Sequence, residues 1–466
     1  MSALTFLEKE DVHPAIAINA NEIDQKICND IDELTAENNQ IWSSPDHNRR
    51  EYVHSFFQYP AMMVPVVQKR IIEILISNLP SILTVLDPYL GSGTSLVACM
   101  ENGLNCYGQD VNPLAILVSK TRTGPFYFNA IKKKKEKFFF SIDTDQSSEI
   151  EINFRGLNKW FKAGVLLELS KIVRAIKVEP RVSIRRFYWV ILAETVRLTS
   201  NDRTSTFKLH ARSLTQIDER NLSAIEYFKK HFQSCLEDIE LYATLLTQSQ
   251  MLSKGAYIGD IHLSLSDSKT NIIKPKNDSN LFDLVVTSPP YGDNKTTIPY
   301  GQHSYLPLQW INLEDISKDV TIDYLKTTME IDNRGLGGKI KIITDVELKK
   351  LFRISPTLED TIHQIKLVDS NKVQKVVNFF YDIHESIKNI HESLQLNSYQ
   401  VWTIGNRTVA GVEIKNDQIM GDFIRDQGSI LIKSISREIL NRRMAKRNNS
   451  GKLMIFEDIL IFRKIA

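Results

Sequence analysis

The chain has little of what builds metal centres. Its 466 residues include four cysteines, Cys28, Cys99, Cys106 and Cys235. They are scattered, and none belongs to a Cys-x-x-Cys pair, which argues against zinc. None follows a proline either. No apolar run reaches membrane-spanning length. The segment Met1 to Glu10 lacks the basic start and long apolar core of a secretory signal. These absences predict a cytoplasmic protein with reduced thiols and no membrane partner. An excess of charge is missing too. Fifty-eight basic residues against 56 acidic ones leave a net charge of +2, so the chain as a whole is not a strongly basic nucleic-acid binder. There is no internal repeat. What remains is ordinary globular material, 42% hydrophobic and 24% charged, long enough for two or three lobes.

One short stretch carries the most chemistry. Phe282-Asp283-Leu284-Val285-Val286 is an apolar, β-branched run that reads as a buried parallel strand. Thr287-Ser288-Pro289-Pro290-Tyr291 follows it and falls at the carboxyl edge of a sheet, where open α/β folds bind ligands. Two prolines fix φ and remove two donors, leaving their carbonyls as acceptors in a stiff loop. Ser288 adds a hydroxyl, and Tyr291 adds a flat face on which a base can stack. Together they suit a planar ring that bears an exocyclic amine. A strand running into an ordinary proline turn reads the same over so few residues.

A second stretch supports the first. Thr84-Val85-Leu86-Asp87-Pro88 runs into Tyr89-Leu90-Gly91-Ser92-Gly93-Thr94-Ser95, and Leu96 to Met100 begins a helix. Glycines let a backbone approach a ligand closely, and a helix N-terminus adds partial positive charge. Two rival glycine-rich loops are excluded. Leu96 stands where a dinucleotide fingerprint needs its third glycine, and no Gly-Lys-Ser/Thr triplet follows. Asn105 to Asp110 reads as the next strand, ending in an acid of the kind that accepts from ribose hydroxyls. Capping a helix is the other use of Asp110, and Asn112 can fill that role instead.

These stretches resemble the DNA amino-methyltransferases, which methylate N4 of cytosine or N6 of adenine with S-adenosylmethionine. The family's catalytic loop, (Asp/Asn/Ser)-Pro-Pro-(Tyr/Phe), is matched by Ser288, Pro289, Pro290 and Tyr291. Its Ser form is typical of the cytosine-N4 enzymes. The family's cofactor loop, Asp-Pro-Phe-x-Gly-Ser-Gly-Thr, is matched by Asp87, Pro88, Gly91, Ser92, Gly93 and Thr94, with Tyr89 in place of Phe. The resemblance implies an α/β fold with a Rossmann-like methyltransferase sheet, mostly parallel with one antiparallel closing strand, here carrying a large helical insert. It implies S-adenosylmethionine as methyl donor and double-stranded DNA as partner. It also implies a cognate restriction endonuclease that acts on the same site without a stable complex. By the same likeness Asp87 lies near the methionine amino group, Asp110 on the ribose, and Asp260, after Ala256-Tyr257-Ile258-Gly259, on the adenine amine. His54 and Tyr59 would lie over the methionine end, although His54 serves equally as a core residue.

The chemistry follows from the amine. Its lone pair is delocalised into the ring, and accepting both N–H groups at the Ser288 hydroxyl and the Pro289 carbonyl restores it. Transfer is then in line, driven by positioning and aimed dipoles. A duplex base must be flipped out to reach the loop, with Tyr291 stacking on it. Methylation at carbon 5 of cytosine is disfavoured, because that reaction needs a Pro-Cys nucleophile. Cytosine N4 is the expected target. Adenine N6, an RNA or protein amine, and a non-catalytic DNA-binding role remain as alternatives.

Residues 1–50 read as a helical extension, 51–120 as the cofactor-binding part and 121–250 as a helical insert that is a candidate for DNA recognition. Residues 251–330 read as the catalytic part, 331–375 as a mixed insert with candidate DNA contacts, and 376–466 as the end of the sheet. Between Arg181 and Arg212 seven basic residues face two acidic ones. Arg185, Arg186, Arg197, Arg203 and Lys208 are the candidate phosphate contacts there, though a solvated face gives the same pattern. The basic runs Lys132 to Lys137 and Ile439 to Asn448 are further candidates. Asn333 to Lys339 reads as a flexible loop. Gly292 to Ser304 is expected to wrap the flipped base or the adjacent phosphate, with Asp293 in a proton-accepting or orienting role or in a plain surface loop. Leu157–Ile176, Leu222–Leu246, Val373–Leu394, Asp422–Ile430 and Leu431–Leu440 read as helices, and Lys452–Lys464 as a strand hairpin.

Overall fold

In the computed structural model, residues 20–440 and 455–466 are described. The first part of the N-terminal extension lies outside them, as does most of the basic run Ile439 to Asn448.

Seven strands form the central sheet: β1 (Thr84–Asp87), β2 (Asn105–Asp110), β3 (Ile261–Leu265), β4 (Phe282–Thr287), β5 (Leu394–Gly405), β6 (Ser429–Glu438) and β7 (Phe456–Lys464). Their order is β6-β7-β5-β4-β1-β2-β3. Strands β3, β2, β1, β4 and β5 pair in parallel, and β7 runs antiparallel between β5 and β6. The direction of travel across the sheet reverses between β1 and β4. Ligands of open α/β sheets bind at such a switch point, outside the carboxyl ends of the strands.

Strand side chains alternate between two cores. Val85, Cys106, Leu284, Val401 and Ile461 face one, while Leu86, Tyr107, Val285, Trp402 and Phe462 face the other. Strands β1 and β4 are buried on both faces, which is why their sequences are largely apolar runs. The first core takes in α1 (Ala20–Glu37), α2 (Pro65–Asn78), α3 (Thr94–Glu101) and α4 (Pro113–Arg122). It continues without a break into the insert between α4 and β3. The insert comprises α5 (Phe128–Asp143), α6 (Ala163–Val178), α7 (Val182–Thr199) and α8 (Ala224–Gln248). Phe138 and Tyr188 stack there at 4.4 Å between ring centres. Next along the chain comes α9 (Tyr300–Gln309), with its face on the same core. The opposite face is covered by α10 (Asp345–Ile354), α11 (Pro356–Val368), α12 (Ser370–Glu392) and α13 (Asn416–Asp426). Among the described residues no helix is long and apolar enough to cross a membrane.

Four local expectations change. Asp422–Ile430 is helical only as far as Asp426, and Ser429 begins β6. Leu431–Leu440 is not a helix; Leu431–Glu438 belongs to β6, which pairs with β7 on either side of a bulge at Ile432. Leu157–Ile176 is two helices, Leu157–Trp160 and α6, separated at Phe161 and Lys162, whose backbones are extended. The glycines after Asn333 are packed. A Cβ on Gly338 would meet the Asp332 carbonyl at 2.2 Å, and one on Gly337 would meet the Phe379 backbone at 3.1 Å.

Candidate functional site

The carboxyl ends of β1 and β4 are tied together by one carboxylate. Asp87 is fully buried at the tip of β1. It accepts hydrogen bonds from the Ser95 hydroxyl, from the Thr287 hydroxyl at the tip of β4 (2.7 Å) and from the Tyr89 backbone N–H (3.1 Å). Burial pushes its carboxyl up to about 6, against the pull of those donors. Three of its acceptor positions are thus used inside the fold, clamping the glycine loop to the Ser-Pro-Pro-Tyr loop. Asp87 does not line the cavity described next, so it stands behind the place expected for the methionine amino group.

A cavity opens beside this clamp, about 840 Å³ counting the solvent in its open mouth. Pro88, Gly91, Ser92 and Thr94 line it from the glycine loop, Tyr59 from the preceding segment, Asp110 from the tip of β2, and Ser288 and Pro290 from the loop after β4. Pro289 is buried behind them. Gly91 and Gly93 both have positive φ, +51° and +80°. The turn brings the Gly91 N–H to the Asp110 carboxylate at 2.8 Å. A Cβ on Gly93 would meet the Ser119 hydroxyl at 2.9 Å, so strain and close packing both demand glycine there. Asp110 also accepts from the Asn112 N–H, and burial pushes its carboxyl up to about 6. Helix α4 is capped by Asn112, whose side chain accepts from the Leu114 N–H at 3.0 Å. The Asn112 amide also donates to the Tyr59 hydroxyl, and the Tyr59 ring stacks on Tyr300 at 5.8 Å.

Two expected cofactor contacts stand elsewhere. His54 is a core residue. Its ring is buried away from the cavity lining, burial holds its pKa well below the usual range, and its carbonyl accepts from the buried Arg122 guanidinium. Asp260 lies at the opposite, amino edge of the sheet, where its backbone pairs with Asn105 and Cys106 at the start of β2. The third strand begins after Asp260, not before it. Its carboxyl end is Ser266-Asp267-Ser268, and all three line the cavity. The sequence signal was the alternation Ile261-His262-Leu263-Ser264-Leu265 followed by Ser-Asp-Ser, which the generic Gly259-Asp260 pair obscured.

The tract after the catalytic loop is also built inward. Asp293 is buried and organises a turn through the Thr296 N–H and the Thr296 and Thr297 hydroxyls, so it is no plain surface loop. Asn294 and Tyr300 line the cavity, and Ile331, Gly335 and Leu336 close its far wall. Buried oxygens at Ser266 Oγ and Asn294 Oδ1 have no protein partner. Unpaired buried oxygens in a cavity with apolar walls fit a bound ligand that donates hydrogen bonds.

The expected DNA contacts divide. Arg185 makes a two-pronged pair with Asp315 (2.6 and 2.7 Å), and Arg186 donates to the Asp315 carbonyl. Arg197 is held by Glu194 and Gln58. These three are engaged within the fold, and their assignment to DNA is withdrawn. Arg203 and Lys208 are exposed. Their loop packs on α9, through the Phe207 ring against His303 and the Leu209 N–H to Gln302. The Lys132 to Lys137 run lies on α5, where Lys132 pairs with Glu240 and Lys134 with Glu179.

No protein-family profile matches the chain. A sequence 31% identical over 441 residues, covering 92% of this chain and 93% of the relative, is the type II methyltransferase M.MvaI of Kocuria varians. The type II methyltransferase M.BsoBI of Geobacillus stearothermophilus is 23% identical over 77% of this chain and 70% of its own. A shorter match, 30% identical over 91 residues, joins it to the type II methyltransferase M.MjaII of Methanocaldococcus jannaschii. With a glycine loop and a Ser-Pro-Pro-Tyr loop meeting at one switch-point cavity, and near full-length similarity to such an enzyme, the chain belongs to the type II methyltransferases, S-adenosylmethionine-dependent DNA methyltransferases of restriction–modification systems.

Proposed function

We propose that this enzyme methylates the exocyclic N4 amine of a cytosine flipped out of duplex DNA, protecting the site read by a cognate restriction endonuclease. The observation that carries this reading is the place of Ser288. Its residue lines the cavity that the glycine loop also lines, at the tip of a strand clamped to that loop through Asp87. The cofactor, when bound, supplies an electrophilic methyl group on a sulfonium.

The chain's own residues do the rest. Asp110 accepts from ribose hydroxyls, and Asp267 takes the part first assigned to Asp260, accepting from the adenine amine. Tyr59, Pro290 and Leu336 form apolar walls that exclude water from the transfer. The Ser288 hydroxyl and the Pro289 carbonyl accept the two N–H groups of the target amine, so that the nitrogen lone pair is freed toward the donor. Arg203 and Lys208 stand on the loop packed against α9, on the same side as the catalytic tract, and are assigned to phosphates.

Two measurements test this. Calorimetry should detect S-adenosylmethionine binding to the purified protein. Duplex DNA incubated with label-bearing cofactor should release labelled N4-methyl-2′-deoxycytidine after hydrolysis to nucleosides. N6-methyl-2′-deoxyadenosine as the labelled product would move the target to adenine, and label in RNA alone would remove DNA as substrate.

A further inference from the structure

The last strand of the sheet reaches the catalytic loop. Glu457 sits near the start of β7, opposite Gly405 of β5 and opposite Arg437 of β6. The Tyr291 hydroxyl donates to Glu457 Oε1 at 3.0 Å, and Arg437 pairs with the other oxygen of the same carboxylate. Both members of that ion pair are largely buried, with Arg437 at 4% and Glu457 at 13% side-chain exposure. On its other side the Tyr291 oxygen lies 3.3 Å from Ser288 Oγ. The Asn416 amide holds the Tyr291 carbonyl at 2.9 Å.

Hydrogen-bond direction along this chain is determined by its end. A carboxylate paired with a guanidinium accepts only, and Glu457 is paired with Arg437. The Tyr291 O–H therefore points at Glu457, which leaves the Tyr291 oxygen as an acceptor. The neighbouring Ser288 O–H turns toward it. Both Ser288 lone pairs are then free to face the cavity as acceptors. Burial, reinforced by the Glu457 charge, pushes the Tyr291 phenol well above its usual range, so it stays a donor. The 3.3 Å contact is the long link, and catalytic hydrogen bonds of this kind tighten when substrate closes the site.

We propose that Glu457, held by Arg437, is a positioning residue that acts through Tyr291 to make Ser288 an acceptor for the N–H of the target amine. This rests on the reading of Ser288 as the amine acceptor. It also gives the Tyr291 hydroxyl a task distinct from the stacking surface of its ring.

The test compares Tyr291→Phe, Glu457→Gln and the double variant in single-turnover methylation of duplex DNA, alongside Kd for cofactor and DNA. Tyr291→Phe keeps the aromatic ring and removes only the hydroxyl. The expected result is a rate roughly 10-fold or more below wild type for each single variant, with both Kd values within about twofold. The double variant should be no slower than Tyr291→Phe, because both changes break one chain of contacts. A Tyr291→Phe enzyme at the wild-type rate overturns the proposal, and so do losses that multiply in the double variant. If Glu457→Gln does not fold, the Tyr291→Phe rate alone decides. A wild-type protein that methylates no amine would instead overturn the underlying function.

Discussion

At the residue scale, Asp260 and Asp267 separate two placements of the adenine end of the cofactor. Asp260 is exposed at the amino edge of the sheet, and Asp267 lines the cavity at the carboxyl edge. Asp267→Ala should raise the Kd for S-adenosylmethionine about tenfold, the loss of about one charge-assisted hydrogen bond. Asp260→Ala should leave it unchanged. Calorimetry on both variants checks this, and a reversed order would return the role to Asp260. Ser288→Ala should reduce turnover by about 10²-fold while leaving cofactor affinity within about twofold, because its acceptor acts on the amine rather than on the donor. Residue types at the site were legible where chemistry restricts them to few choices, as at Ser288, Pro289 and Gly93. They were not legible where a common dipeptide stood near a strand, as at Asp260, or where burial alone decides the role, as at His54 and Asp87.

At the element scale, the Asp87 clamp joins the tips of β1 and β4, and its titration gives a test in pH. Its carboxyl titrates at about 6 in the fold, against 3.8 for the free group. Between those values the folded state holds the proton that the unfolded state releases, so stability falls as pH rises through that window. Asp87→Asn removes the group. The melting temperature of the variant relative to wild type should therefore climb from about pH 4 to about pH 6 and level off beyond, and a flat difference would contradict the buried clamp. The strands β1 and β4 were readable because burial on both faces makes them unbroken apolar runs. β6 was misread as a helix because Leu431, Ile432, Ile435 and Ile439 recur at helical spacing in the sequence, and pairing with β7 decided the matter. The end of β3 was missed for a similar reason: its partly exposed side chains weaken the apolar signal.

At the scale of the whole molecule, charge counted along the sequence overstated the DNA-facing surface. Of five basic residues assigned to DNA, Arg185, Arg186 and Arg197 are held by acceptors within the fold, and Arg203 and Lys208 are exposed. Sequence gives the sign of a charge but not its partner, and Asp315 lies 130 positions from Arg185. Arg185→Ala should therefore destabilise the fold, on the order of 3 kcal/mol for a largely buried pair, as chemical denaturation would measure. Arg203→Ala and Lys208→Ala should leave the melting temperature alone, and each should flatten the slope of log K against log salt by about 0.9. The order of the sheet was foreseeable only through the likeness of the two loops to a known family, since composition alone names no topology. The central claim is that one switch-point cavity presents a Ser-Pro-Pro-Tyr loop to an extruded cytosine. Its most direct test is sequencing that resolves methylated bases in DNA from cells expressing the wild-type chain or Ser288→Ala. The account predicts N4-methylcytosine at one recurring sequence with the wild type and none with the variant; no modified base with the wild type, or the same marks with Ser288→Ala, would contradict it.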